Sequence, residues 1–232
     1  MNAQDLSSGS EQRKQAMKTV LAQFQWPVEE LFMREAFEVS SDPGRQIHTV
    51  CWPRQGHGEP TFYRYLHEMG HALLAERVHP QFSRPVFLKG QDPALRNTYL
   101  PLFEAALDWF VEGLLMDLTP EFQVPDIEAR FRQAAGLLRQ GGALPSLDFV
   151  VDTGLALASF RQHCHLEFAA AGKLGEVLAA YLRIPPDKPS LFALHGLVRS
   201  LMKVFELHTA CLVRERGFQH WRIEALTARK KA

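Results

Sequence analysis

Residues 60–79 hold the arrangement that leaves this chain least conformational freedom. The run Tyr63-Arg64-Tyr65-Leu66-His67-Glu68-Met69-Gly70-His71-Ala72-Leu73-Leu74 contains His-Glu-x-x-His. On an α-helix, positions i and i+4 share a face, with Cβ atoms about 5–6 Å apart. His67 and His71 can then converge on one ion at Zn–N distances of about 2.0–2.1 Å. Glu68 falls about 100° further round the helix, beside such an ion and not on it. Leu66, Met69, Leu73 and Leu74 supply apolar packing on both sides of the pair. Pro60-Thr61 suits a first turn, and Pro80 stops the helix just after His79. Gly70 costs about 1 kcal/mol of helix propensity relative to Ala. That cost makes sense where another backbone or a ligand approaches closely.

A third ligand must come from elsewhere. The segment Phe103-Glu104-Ala105-Ala106-Leu107-Asp108-Trp109-Phe110-Val111-Glu112-Gly113-Leu114-Leu115 reads as a second apolar helix, opened by Pro101 and closed by Thr119-Pro120. Glu112 lies among Val111, Leu114 and Leu115, where an ionised carboxylate is costly without a partner. A divalent cation or a buried Arg would supply one. Glu104 and Asp108 lie on the same face, at i−8 and i−4. Either is a substitute ligand or an outer acceptor for an imidazole N–H, and Asp108, one turn away, suits the latter role better.

These two helices resemble the zincin metallopeptidases, over roughly residues 60–118. The metzincin form of the motif would need Gly at position 74 and His at 77, and this chain has Leu74 and Arg77. The gluzincin form takes its third ligand from a Glu on a downstream helix. Trp109-Phe110-Val111-Glu112-Gly113-Leu114 is similar to the W-x-x-E-G-L wording around that ligand. The resemblance implies a zinc ion held by His67, His71 and Glu112, with Glu68 as general base and Asp108 outside the ligand shell. It implies a peptide or protein substrate. It also implies a zincin-like single domain of α+β class, mostly α, with a small N-terminal sheet and a helical C-terminal half.

The rest of the chain is read within that frame. With 46% hydrophobic residues, 22% charged and a formal net charge of +0, the composition is that of an ordinary soluble globular protein. No charge asymmetry advertises nucleic acid, and no 18 apolar residues run together to span a membrane. Residues 1–10 lack a basic n-region and an apolar h-region, so they read as a disordered start and not a secretory signal. Cys51, Cys164 and Cys211 are too few and scattered for a disulfide framework. They read as reduced thiols of a cytoplasmic protein.

Ser10 is placed to cap a helix from Glu11 towards Phe24. Residues 35–53 form a hairpin: Ala36-Phe37-Glu38-Val39-Ser40, a turn at Ser41-Asp42-Pro43-Gly44, then Gln46 to Trp52. In zincins an edge strand before the motif helix receives substrate backbone, and this hairpin is the available edge. Residues 55–58 read as a flexible link, and 80–98 as an irregular loop beside the cleft. Helices are expected across 126–216, the first ended by Gly141-Gly142, then 146–171, 173–183 and 190–216, with a break at Pro185-Pro186.

Several residues in this half look tempting. His163 and His165 diverge by about 200° on a helix and cannot share an ion. His163, His165, Tyr181, His195 and His208 are all eligible to stabilise an oxyanion, and the spacing chooses none. The leading reading is a zinc-dependent peptidase. The alternatives are a non-catalytic zincin-fold binding or regulatory protein that retains its zinc, and a metal-free helical protein in which Glu112 pairs with Arg.

Overall fold

A computed structural model describes residues 11–54, 60–140 and 146–226. The expectations for residues 1–10, 55–58 and 141–142 lie outside those. In chain order the elements are α1 (Glu11–Leu21), β1 (Val28–Arg34), β2 (Glu38–Asp42), β3 (Ile47–Pro53) and α2 (Phe62–Arg77). A 3-10 turn (Pro80–Phe82) follows, then α3 (Pro93–Leu118), α4 (Pro120–Gln140), α5 (Leu147–Cys164), α6 (Gly172–Leu182), α7 (Leu191–Phe205), β4 (His208–Glu215) and β5 (Phe218–Ala225). The class is α+β, mostly α, with a small N-terminal sheet. No helix among the described residues is long and apolar enough to cross a membrane.

The chain forms two compact units, Met1–Arg84 with Phe110–Asp126, and Pro85–Trp109 with Ile127–Ala232. In the first, three strands pair in the order β1-β3-β2, with β3 parallel to β1 and antiparallel to β2. The β2–β3 hairpin forms as its turn chemistry dictates. Asp42 Oδ1 accepts the backbone N–H groups of Gly44 at 2.9 Å and Arg45 at 3.1 Å, the local bond that favours Asp at a turn.

Strand β1 has no counterpart in the sequence reading. Its Val-Glu-Glu-Leu-Phe-Met-Arg lacks clean alternation, and Leu31 and Phe32 are exposed. An edge strand with adjacent apolar residues exposed leaves no period-2 signal. Helix α1 ends at Leu21, short of Phe24, because the next residues are used differently. The Phe24 and Trp26 rings pack on His48, and the backbone N–H groups of Gln25 and Trp26 bind Glu76. The sheet meets α2 through Phe37, Trp52 and Tyr65, with Trp52 and Tyr65 stacked at 5.8 Å.

In the second unit, α5 and α6 approach so closely that a Cβ on Gly154 would stand 2.3 Å from Val177 Cγ1. Helix α7 buries Leu194, Leu197, Val198, Leu201 and Met202, the i, i+3, i+4, i+7 stripe of an amphipathic helix.

Three expectations in this region are corrected. Residues 80–98 are not one irregular loop. Pro80–Phe82 is helical, Val86 and Leu88 exchange backbone hydrogen bonds with Trp221 at 2.8 Å each, and α3 starts at Pro93. Asp92 Oδ1 accepts the N–H of Ala94 at 2.8 Å at the entrance to α3, the bond of an N-cap. Pro101 therefore lies inside α3 and does not open it. The helix over 190–216 ends at Phe205, where Glu206 adopts φ 58°. An antiparallel β4–β5 hairpin follows, turned by Arg216 at φ 50° and Gly217 at φ 89°. Two positive φ values at a two-residue turn match the twist of the flanking strands. The short apolar run of β4 was open to either assignment. The decisive signal was Arg216-Gly217 between two runs rich in β-branched and aromatic residues.

Candidate metal centre

Helix α2 is built to hold its two histidines rigidly. Thr61 caps it, its hydroxyl accepting the Arg64 N–H at 3.1 Å. Phe62, Tyr65, Leu66, Met69, Gly70 and Ala72 to Ala75 are buried, leaving His67, Glu68 and His71 half-buried between them. Gly70 sits where the sequence placed it, at a close approach. An added Cβ would meet Val111 Cγ1 at 2.7 Å. The absent side chain lets α2 seat directly on the Phe110–Leu118 part of α3.

The Nε2 atoms of His67 and His71 lie 3.2 Å apart, with the rings nearly perpendicular. Two nitrogens at about 2.0–2.1 Å from a tetrahedral ion stand about 3.3–3.4 Å from each other. The pair thus already has the spacing that zinc requires. Nδ1–H of His71 donates to the Phe82 carbonyl at 2.9 Å, which fixes the tautomer and aims the Nε2 lone pair at its neighbour. Phe82 is itself fully buried, against the Phe110 ring at 5.6 Å. His79 caps the 3-10 turn, its Nδ1 accepting the Gln81 N–H at 3.2 Å. Burial pushes the His79 pKa down, which keeps that nitrogen free to accept.

Of the acids on α3, Glu112 lies in the same unit as the two histidines and is 1% exposed. Asp108, one turn earlier, is half-buried in the second unit. Glu104 is exposed. Helical spacing put Glu104, Asp108 and Glu112 on one stripe and could not rank them.

Below this site lies a buried polar group that the sequence did not reveal. His48 on β3 is fully buried, and the Glu76 side chain on α2 is 3% exposed. Nε2–H of His48 donates to Glu76 Oε2 at 2.9 Å, and the Ser41 hydroxyl donates to Nδ1 at 2.8 Å. Glu76 also accepts the backbone N–H groups of Gln25 at 2.8 Å and Trp26 at 3.1 Å. Burial alone would raise the Glu76 pKa, but the His48 bond and the two backbone bonds outweigh it, holding the carboxyl below its ordinary range. This network ties the sheet to the last turns of the helix that carries the histidines.

The five residues eligible for oxyanion stabilisation all lie in the second unit. His195 Nε2 meets the Ala210 carbonyl at 3.3 Å, and burial pushes its pKa down. His208 bonds Tyr99, Tyr181 packs on Trp109, and so does His163. His165 ends α5 at φ 56°. No protein-family model matches the chain, and no curated protein or solved structure matches it.

Proposed function

We propose that the chain is a zinc-dependent hydrolase acting on peptide bonds, with His67, His71 and Glu112 as the zinc ligands. The observation that carries this reading is the 3.2 Å Nε2–Nε2 separation, with one ring locked through Nδ1. A set of three protein ligands is that of catalytic zinc, which keeps its fourth position open. Zinc bound there would acidify a coordinated water and polarise a substrate carbonyl.

The chain's own residues do the rest. His71, oriented by Phe82, and His67 present neutral imidazoles. Glu68, next to His67 and half-buried, takes a proton from the attacking water and passes it to the leaving amine. Peptide as the substrate class rests on the zincin resemblance of the two helices.

Elemental analysis of the purified, zinc-reloaded protein tests the metal. About one zinc per chain is expected, lost in Glu112→Ala and kept in Asp108→Ala. The reverse pattern would make Asp108 the third ligand. A folded parent holding no zinc would sink the reading. Glu68→Gln is expected to keep its zinc and lose hydrolysis of a fluorogenic peptide library, and turnover close to the parent's would remove Glu68 from its role.

A further inference from the structure

A cleft of about 440 Å³ opens between α7, the start of β4 and the end of β5, within the second unit. Its size falls among small-molecule sites, which run from about 300 to 1,000 Å³. Gly196, Arg199, Ser200 and Lys203 line it from α7, at the three- and four-residue spacing that makes one helical stripe. Leu226 adds an apolar wall, and Thr209 and His208 the opposite rim.

The charges here are uncompensated. Arg199 and Lys203 are exposed, and neither forms an ion pair among the described residues. Two acids are close in chain or register. Glu224, opposite Thr209, is held by Arg222 at 2.6 Å, and Glu206 is exposed in the left-handed turn after α7.

The histidine is oriented. Tyr99 is buried, and burial pushes its pKa up, so its hydroxyl keeps its proton. Tyr99 Oη lies 2.9 Å from His208 Nδ1. With the hydroxyl donating, the ring proton falls on Nε2, an N–H with no partner among the described residues. Gly196 is the third sign. A Cβ there would meet nothing nearer than Ile184 Cδ1 at 4.0 Å. Mid-helix Gly costs about 1 kcal/mol, and no packing neighbour asks for it, in contrast to Gly70 and Gly154. What the missing side chain does is keep the cleft floor clear.

We infer that this cleft binds a small phosphorylated ligand. Its phosphate sits on Arg199, Lys203 and the Nε2–H of His208, and its body lies on the Gly196 floor against Leu226. A carboxylate is matched by one guanidinium in a two-pronged pair. A guanidinium, an ammonium and an imidazole N–H together suit the three oxygens of a phosphate. The site is independent of zinc.

Amide-resolved NMR titrations of the full chain with phenyl phosphate, inorganic phosphate and benzoate test it. Phenyl phosphate should bind tightest and move the Gly196 and Thr209 amides. Arg199→Gln should weaken it about tenfold or more, the loss of one charge-assisted contact. Gly196→Leu should block binding while leaving the melting temperature at or above the parent's. Equal, weak binding of all three anions, unchanged in both variants, would overturn the inference. So would tight binding of a single-stranded oligonucleotide that phenyl phosphate fails to displace, which would make this a nucleic-acid surface. Should Gly196→Leu misfold, Arg199→Gln decides alone.

Discussion

Gly70 shows how a single residue sets the seat of the two histidines. It lies between the two histidines, and a Cβ there would stand 2.7 Å from Val111 Cγ1 on α3. A methyl group there must displace Val111, the immediate neighbour of Glu112. Gly70→Ala should therefore destabilise the fold by about 1–3 kcal/mol through overpacking, against the gain of about 1 kcal/mol that propensity alone would give. Urea denaturation distinguishes the two, since they differ in sign. Sequence made this glycine legible as a close approach, and it made His67, Glu68 and His71 legible as a constellation. It did not separate Asp108 from Glu112. Both are acids on the same helical stripe, and the choice depends on helix placement of a few ångströms, which no spacing rule encodes.

At the scale of elements, the tie between β3 and α2 is polar. Glu76 is a carboxylate held by His48 and two backbone N–H groups, and its folded pKa lies below the ordinary value of 4.5. The unfolded state therefore binds the proton more readily. The stabilisation is complete above the ordinary carboxylate pKa and is lost as the pH falls through the lower folded value. Glu76→Gln should cost about 1.5–3 kcal/mol at neutral pH, the worth of hydrogen bonds to a charged group. It should also flatten the acid limb of the stability–pH curve, and chemical denaturation at a series of pH values checks both. None of this showed in the sequence, because His48 and Glu76 are 28 residues apart and neither belongs to a motif. The elements that were legible have strong local punctuation: the Thr61 cap, the Asp42 turn, the apolar stripe of α7. Those that were not, β1 and the β4–β5 hairpin, are short runs whose identity is fixed by their pairing partners.

For the whole molecule, the three cysteines of the sequence are all free, and all are half-buried. Alkylation of the denatured, unreduced protein should therefore add three groups per chain by mass spectrometry. A lower number in freshly purified protein would mean that a thiol is already bonded.

The two units also interrupt one another along the chain. The first contains Met1–Arg84 but also Phe110–Asp126, and the second begins at Pro85. The change from one to the other at Trp109–Phe110 falls in mid-turn of α3, a helix without a break from Pro93 to Leu118. A ribosome that has just released the His67–His71 helix has therefore delivered only part of its surroundings. Val111, Leu115 and Phe122, which pack on Gly70 and Phe62, are still to come. The nascent chain must carry an open apolar face of α2 for some forty residues of synthesis. At roughly 5–20 residues per second that is a matter of seconds, long enough for a chaperone to find it.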